Sequence, residues 1–166
     1  MIFKAMMFAA VAHEGQVRKY TGEPYVTHPV AVAGIVNTVV NDKNMLVAAL
    51  LHDTVEDTDV TLEQVNKEFG AVVASMVSDL TDTSKPEDGN RKARRVIDLQ
   101  HTALASPKAQ TIKLADLIHN IGSIVKHDPK FAEIYMAEKK LLLEVLIHGH
   151  PMLLLKAREI VRDYYA

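Results

Sequence analysis

Cysteine and tryptophan are absent from this chain of 166 residues, and its only aromatic residues are five tyrosines and four phenylalanines. Without cysteine the chain has neither disulfide bonds nor thiolate zinc sites. Glycine and proline are also few, at seven and six residues, so the composition favours helices. The 19 basic and 21 acidic side chains nearly cancel, which removes the bulk attraction that binding to nucleic acid or to an anionic membrane needs. Histidine, in contrast, is abundant, with eight residues.

Long hydrophobic runs are scarce, and the two apolar segments of the chain are too short or too polar to cross a membrane. The segment Lys4–His13 imitates a short export signal. Its spacing fits an amphipathic first helix better, with a buried stripe made of Phe3, Met7, Ala10 and Val11. The segment Pro24–Asn41 is uncharged but contains two prolines and several polar residues. We therefore expect a cytoplasmic protein with no membrane partner.

Signals for helix starts and ends follow one another along the chain. Thr27 or His28 caps a segment that opens with Pro29 at the first helical position, although its β-branched residues also suit a strand. A capping box at Thr61 and a glycine at position 70 bound a shorter helix. Further helices are predicted over Lys43–Asp53, Ala71–Leu80, Asn90–Ala105, Lys108–Val125, Phe131–Ile147 and Pro151–Tyr164. With no alternating strand pattern, the sequence predicts one all-α domain, residues 1–166, built as a bundle of about eight to nine helices.

One apolar segment runs directly into a histidine and four acids, between His52 and Asp59. Helical spacing places Glu56 near His52 and Asp57 near Asp53. The segment thus offers a His–Asp pair as metal ligands and a Glu–Asp pair for proton transfer. The alternative interpretation is a solvated helix end. Carboxylates at the C-terminus of a helix are disfavoured by the helix dipole, and a bound cation would offset that cost.

Two other segments carry candidate ligands. Lys113, Asp116 and Asn120 fall on one face of an apolar helix. This arrangement fits a buried ion pair between the lysine and the aspartate. It also fits a metal-binding carboxylate with an amide beside it. His28 precedes a proline, in a position typical of a cap, a packed side chain or a ligand. We interpret the remaining histidines as structural or exposed: His13, His101, His119, His127, His148 and His150.

Two histidines and two aspartates from three segments would make a site of nitrogen and oxygen ligands. Such a site suits Mn²⁺, Fe²⁺ or Mg²⁺ better than closed tetrahedral zinc. An adjacent His52-Asp53 pair with a distant His and Asp resembles the HD superfamily of metal-dependent phosphohydrolases.

Several motifs in order extend this resemblance. They are His13-Glu-Gly-Gln-Val-Arg-Lys19, Gly22-Glu-Pro-Tyr-Val-Thr-His-Pro29, Ala49-Leu-Leu-His-Asp-Thr-Val-Glu-Asp-Thr58, Phe69-Gly70, Leu80-Thr-Asp82 and Lys113-Leu-Ala-Asp-Leu-Ile-His-Asn120. Together they look like the hydrolase domain of RelA/SpoT-type alarmone enzymes over residues 5 to 140, with the C-terminal helices of 131–166 packed on that core. The length of the chain favours the stand-alone small alarmone hydrolases.

The resemblance also implies roles for individual residues. The metal ligands would be His28, His52, Asp53 and Asp116, holding one ion for which we expect Mn²⁺, with Fe²⁺ or Mg²⁺ as the other candidates. Glu56 and Asp57 would act in catalysis. Substrate contacts would come from Arg18, Lys19, Asn120 and Tyr135. Arg91 joins this group if the loop before it folds over the site, and is otherwise part of a solvated helix face formed by residues 91–95.

The implied activity is hydrolysis of the 3′-diphosphate of guanosine 3′,5′-bis(diphosphate), or of its pentaphosphate or adenine analogue, to pyrophosphate and an ordinary nucleotide. Two other functions stay open. One is an HD-type phosphatase that acts on a nucleoside monophosphate or on the 2′-phosphate of NADPH. The other is a non-catalytic nucleotide-binding module. The expected partner is a nucleotide, with no nucleic acid, and a homo-oligomer stays open.

Overall fold

The computed structural model describes all residues, 1–166, and consists of helices joined by short loops. The ten α-helices are α1 Ile2–Ala12, α2 Thr27–Asn37, α3 Lys43–Leu51, α4 Thr54–Asp57, α5 Leu62–Phe69, α6 Ala71–Leu80, α7 Arg91–Leu104, α8 Pro107–His127, α9 Pro129–Leu142 and α10 Pro151–Tyr164. A 3₁₀ turn, Pro86–Asp88, precedes α7. The predicted all-α class is confirmed. No helix is long and apolar enough to span a bilayer.

Helix α3 is the centre of the molecule. Its last seven residues, Met45 to Leu51, are all buried, as expected for a segment that is apolar on every side. The helix packs against α1, α2, α6 and α8. Asp42 caps its first turn and also pairs with Lys108 at 2.7 Å. This ion pair holds the starts of α3 and α8 together. It therefore sets the position of the later polar residues of α3 relative to those of α8.

The first helix buries a different face from the one predicted. Phe3, Met7 and Val11 are exposed, at 71%, 51% and 69% of their surface, while Ala5 and Ala9 are fully buried. The predicted stripe was therefore wrong. The reason is close packing, because α1 lies against α3 and small alanine side chains let two helix backbones approach.

The boundaries of two helices also differ from the prediction. Helix α2 begins at Thr27 with Val26 as its cap residue, and no side chain caps it. Thr27 and His28 are therefore helical, and Pro29 is the third helical residue instead of the first. Helix α9 ends at Leu142, five residues before the predicted end at Ile147, and the chain then turns before Pro151 starts α10.

Candidate metal centre and catalytic site

Three helices bring the predicted metal ligands to one place. His28 lies in the first turn of α2, Asp116 lies in the middle of α8, and His52 and Asp53 form the turn between α3 and α4. Because α2, α3 and α8 pack on one another, the four side chains meet at their junction. The helix does not continue through His52 and Asp53 as predicted, so these two residues turn inward where α3 ends.

Both imidazole rings direct Nε2 at carboxylate oxygens. His28 Nε2 lies 3.1 Å from Asp116 Oδ1 and 3.5 Å from Asp53 Oδ2. His52 Nε2 lies 3.1 Å from Asp53 Oδ1 and 3.7 Å from Asp116 Oδ1. The histidines are 1% and 3% exposed, and neither Nε2 atom makes a hydrogen bond. A buried polar atom without a partner is costly, and a divalent cation between these atoms would remove that cost.

The donor set fits a divalent cation. Ligand atoms of His28, His52 and Asp53 lie within 4.8 Å of one another, and Asp116 closes the group through its short approach to His28. Two nitrogens and two carboxylates, with no thiolate, suit a cation that keeps further positions open for water or a phosphate.

A second layer of contacts fixes the state of each ring. His52 Nδ1 lies 2.8 Å from the carbonyl oxygen of Ala49, to which it can only donate, so the neutral ring keeps a lone pair on Nε2. His28 Nδ1 lies 2.8 Å from Nδ1 of His119, and one proton must lie between the two. If His28 donates it, Nε2 of His28 is likewise free to bind a metal.

His119, for which the sequence predicts a structural or exposed role, therefore contacts the predicted metal ligand His28. Its spacing from Asp116 was the available signal, since residues three apart on a helix share a face. Burial, together with the nearby His28 and Arg18, lowers the pKa of His119. A neutral His119 is able to accept the proton of His28.

The carboxylates set the charge of the centre. Burial disfavours the ionised form of Asp53, but His52 outweighs it and lowers the pKa of Asp53 to about 2. The pKa of Asp116 is also held well below its ordinary value, since the close approach of the His28 and His52 rings overcomes burial. Burial opposes protonation of His52 as well, yet Asp53 and Asp116 raise its pKa well above the ordinary value. Without metal, His52 thus holds a proton in the place of the cation.

The two predicted catalytic acids lie at the open side of the centre. Glu56 Oε2 accepts a hydrogen bond from the backbone N–H of Asp82 at 3.0 Å. Partial desolvation raises the pKa of Glu56, and the nearby carboxylate of Asp82 raises it further. Desolvation and then Asp53 raise the pKa of Asp57. Both groups are thus shifted toward the range in which a carboxylate exchanges protons near neutral pH.

Tyr25 connects the ligands to the catalytic acids. Its hydroxyl donates to Asp53 Oδ2 at 2.7 Å and lies 3.3 Å from Asp57 Oδ2. Burial and the two carboxylates raise the pKa of Tyr25, so it remains a donor. No role for this tyrosine is predicted from its sequence motif. Its position three residues before His28 on the entry to α2 was the signal for it.

Two of the predicted substrate residues face the centre directly. Arg18 Nη2 donates to Asn120 Oδ1 at 2.7 Å, and Asn120 Nδ2 donates to Asp116 Oδ1 at 2.7 Å. A hydrogen-bonded chain therefore runs from Arg18 to Asp116, a predicted metal ligand. The nearby Tyr135, on α9, is 8% exposed.

The other two predicted cations are engaged elsewhere. Lys19 is 73% exposed in its side chain and lies 3.6 Å from Asp128. Arg91 makes a two-pronged ion pair with Glu138 of α9, at 2.7 and 2.8 Å. Residues 91–95 are consequently more than a solvated face, because Arg95 also pairs with Asp82 at 2.8 Å.

Two cavities are lined by residues of α7. The larger, of about 660 Å³, lies between α7, α8 and α9 and contains none of the four metal ligands, but Lys113 on its wall is one helical turn before Asp116. The smaller, of about 370 Å³, reaches Glu56 and is lined by Arg91, Arg94 and Arg95.

Comparison with known proteins gives the family. The HD domain family matches residues 5–141. The chain belongs to the HD domain family. Its HD domain is 40% identical over 132 residues to the human guanosine-3′,5′-bis(diphosphate) 3′-pyrophosphohydrolase MESH1. This match covers 78% of this chain and 72% of that protein. It is 43% identical over 121 residues to the guanosine-3′,5′-bis(diphosphate) 3′-pyrophosphohydrolase of Haemophilus influenzae.

The Haemophilus match covers 71% of this chain but 18% of that protein, so the chain spans less than a fifth of the length of this bacterial relative. Among solved structures, the HD domain is similar to a metazoan ortholog of SpoT that hydrolyzes ppGpp and plays a role in starvation responses. The TM-score is 0.87 at 32% identity, over 98% of this chain and 94% of the other. These relatives confirm the resemblance to RelA/SpoT-type alarmone hydrolases.

Proposed function

We propose that this HD domain is a metal-dependent guanosine 3′,5′-bis(diphosphate) 3′-pyrophosphohydrolase. The observation that carries the proposal is the pair of buried, unpartnered Nε2 atoms of His28 and His52, which face two carboxylates beside Glu56 and Asp57. The relatives with this activity, at about 40% identity over most of the chain, support it. We propose Mn²⁺ as the bound ion.

The residues of the site would have different roles in hydrolysis. His28, His52, Asp53 and Asp116 would hold the ion, which supplies charge stabilisation for the phosphoryl group and acidifies water. Glu56 and Asp57 would position the attacking water and accept its proton. The water oxygen bonds to the inner phosphorus of the 3′-diphosphate, the bond from that phosphorus to the 3′-oxygen breaks, and the 3′-oxygen leaves as a hydroxyl after taking up a proton.

Substrate orientation would come from the residues around Asn120. Arg18, held by Asn120, is placed to make paired hydrogen bonds with a phosphate or a base edge. Lys19 is exposed, and after leaving Asp128 it would act as a point charge. Arg91 would need to leave Glu138 before it could contact a phosphate.

The proposal is tested with a substrate and metal panel. Protein stripped by a chelator is reloaded with Mn²⁺, Fe²⁺ or Mg²⁺ and given guanosine 3′,5′-bis(diphosphate), a nucleoside monophosphate or NADPH, and pyrophosphate is separated from orthophosphate. We expect pyrophosphate from the bis(diphosphate) only. Orthophosphate from the other substrates would indicate the HD-type phosphatase instead, and nucleotide binding without turnover would indicate a binding module.

The site itself is tested with Asp53→Asn, which keeps the shape of the side chain and removes its charge. Because Asp53 contacts both histidines, we expect turnover to fall by at least ~100-fold together with Mn²⁺ binding. Asp59→Asn, in the same acidic segment but exposed, is the matched control and should retain both. Unchanged turnover in folded Asp53→Asn protein would remove Asp53 from the site.

A further inference from the structure

Three lysines line the larger cavity, and two of them, Lys113 and Lys139, are not exposed as Lys92 is and lack partners. Lys113 enters it from α8 and Lys139 from α9, and both side chains are half-buried. Neither ammonium group makes an ion pair or a hydrogen bond, whereas Arg91 and Arg95 on the same wall are each paired with a carboxylate. Lys113 and Lys139 are therefore the half-buried cations of this cavity that make no ion pair.

The environment of Lys139 is unfavourable for a cation in isolation. Burial and, second, the like charge of Lys113 lower the pKa of Lys139 to about 8. Its Nζ lies over the face of the Tyr135 ring, 4.7 Å from the ring centroid. Two neighbouring ammonium groups that are partly removed from water repel each other, and an anion between them would reverse that repulsion.

Lys113 links this cavity to the metal centre. Burial opposes its charge, but Asp116, Asp82 and Glu56 raise the pKa of Lys113, which places its ammonium group in the electrostatic field of the catalytic acids. Lys113 also lies one helical turn before Asp116 on α8, so an anion held by Lys113 in this cavity would lie near the metal centre and not at a remote surface.

The spacing along α8 indicates which part of a substrate would reach the lysines. Lys113, Asp116 and Asn120 share one face, and at 1.5 Å per residue they are separated by about 4.5 and about 6 Å along the axis. The metal ligand Asp116 lies between them. If Asn120 and Arg18 face the nucleoside, the diphosphate at the centre extends toward Lys113 and the larger cavity.

We propose that Lys113 and Lys139 bind the outer phosphate of the 3′-diphosphate and hold it as pyrophosphate leaves. This inference rests on the proposed function and adds a binding subsite to it. The two lysines make the site selective for a 3′-diphosphate over a 3′-monophosphate, because a single phosphate at the centre does not reach them.

The test compares two substrates that differ only in the outer phosphate. Guanosine 3′,5′-bis(diphosphate) and guanosine 5′-diphosphate 3′-monophosphate are given to the Mn²⁺-loaded wild type, Lys139→Met and Lys113→Met. We expect each substitution to raise KM for the bis(diphosphate) about tenfold, the usual size of a lost charge-assisted hydrogen bond, and to leave KM for the 3′-monophosphate unchanged. Lys140→Met, at the next and exposed position, should change neither.

Binding of inorganic pyrophosphate to the same Mn²⁺-loaded proteins separates this inference from the proposed function. Lys139→Met should weaken pyrophosphate binding about tenfold and leave orthophosphate binding unchanged, whether or not the wild type turns the nucleotide over. Lys139→Gln, which keeps a polar end, replaces Lys139→Met if the latter does not fold.

Two results would overturn the inference. One is an active wild type whose KM and pyrophosphate affinity are unaffected by either lysine substitution. The other is loss of pyrophosphate affinity in Arg94→Met but not in Lys139→Met. Arg94 lines the smaller cavity beside Glu56 and has a buried Nε without a partner, so that result would place the outer phosphate there.

Discussion

His119 shows how a residue outside the ligand set controls it. A metal ligand that binds through Nε2 needs its proton on Nδ1, and His28 has only His119 in reach of that atom, at 2.8 Å. When a nitrogen of His119 accepts this hydrogen bond, the proton of His28 stays on Nδ1 and its Nε2 keeps a lone pair for the metal. The equivalent contact of His52 uses the backbone carbonyl of Ala49, which no side-chain substitution removes.

We expect His119→Phe to weaken Mn²⁺ binding by about 10- to 100-fold, because the ring cannot accept a hydrogen bond from His28. His119→Gln, whose carbonyl oxygen accepts the same bond, should retain most of the affinity. Titration of the metal-free variants with Mn²⁺, followed by the resonance signal of free Mn²⁺, measures this without reliance on turnover.

The control is His127→Phe. His127 is exposed on the same helix, and its ring stacks on Tyr20. It should bind Mn²⁺ as the wild type does. Equal affinity of His119→Phe and wild type would show that the contact between the two rings has no influence on the ligand.

At the scale of single residues, the motifs predicted the side chains that meet at the centre, since a His-Asp pair and a lone Asp on an apolar helix have few structural explanations. They missed Tyr25, His119 and Lys139. Each of these acts through the direction in which a ring or an ammonium group points, and that direction is set by neighbours from other helices.

Helix α8 is the element on which the site depends most, because it carries Lys113, Asp116, His119 and Asn120. The loop before α10 fixes its buried face. The backbone N–H of His148 donates to the side chain of Gln110 at 2.9 Å, and Gly149 lies directly against Leu114. The loop therefore holds the turn of α8 that precedes the metal ligand.

Gly149→Ala should lower the free energy of unfolding. A Cβ atom at this position would lie 2.6 Å from Leu114 Cδ1 and 3.3 Å from the backbone of Gln110, and overpacking of this kind costs about 1–3 kcal/mol. Urea unfolding measures the change. Wild-type stability in Gly149→Ala would mean that the loop yields without cost.

The control for this variant is Gly34→Ala, within α2. Nothing lies within 4 Å of the Cβ that would be added there, and alanine inside a helix is favoured over glycine by about 0.5–1 kcal/mol. Gly34→Ala should therefore stabilise the protein, which distinguishes a local clash from a general effect of replacing glycine.

At the scale of elements, the helices themselves were predictable and their buried faces were less so. Helix α3 is apolar on every side, so its central place followed from composition. Helix α1 offered apolar residues on more than one face. Contact with α3 selected the alanine face and left Phe3, Met7 and Val11 exposed, a choice that depends on the shape of the partner helix.

For the whole molecule, a net charge near zero conceals a separation of charges. Carboxylates gather around the metal centre, and cations from α7, α8 and α9 surround the adjacent cavities. In the metal-free protein the charge on His52 partly balances these carboxylates. Proton and metal therefore compete for the same place.

The stability of the metal-free protein and the stabilisation added by bound metal should depend on pH in opposite directions. The pKa of His52 is raised in the folded protein, so its contribution is full below the unfolded value of about 6.5 and is lost as the pH rises through the folded pKa. Metal-free protein should thus become less stable as the pH rises above about 6.5. Mn²⁺ needs the deprotonated ring, so the stabilisation it adds should grow over the same range.

Thermal unfolding over this pH range, with a chelator or with excess Mn²⁺, measures both trends. The Asp53→Asn variant serves as the control, because it removes the main carboxylate that raises the pKa of His52, and its metal-free stability should depend less on pH. A metal-free wild type that becomes more stable as the pH rises would contradict the prediction.

The sequence by itself determined the helical class, the central helix and the residue types of a nitrogen and oxygen metal site, because these follow from composition, periodicity and short motifs. Only the tertiary structure decided which face α1 buries, that the chain turns at His52 instead of continuing as a helix, and that His119 and Lys139 adjoin the reacting groups. The physical reason is distance along the chain: His28 and His119 are 91 residues apart, and contacts of that kind arise only when packing of whole helices brings their side chains together.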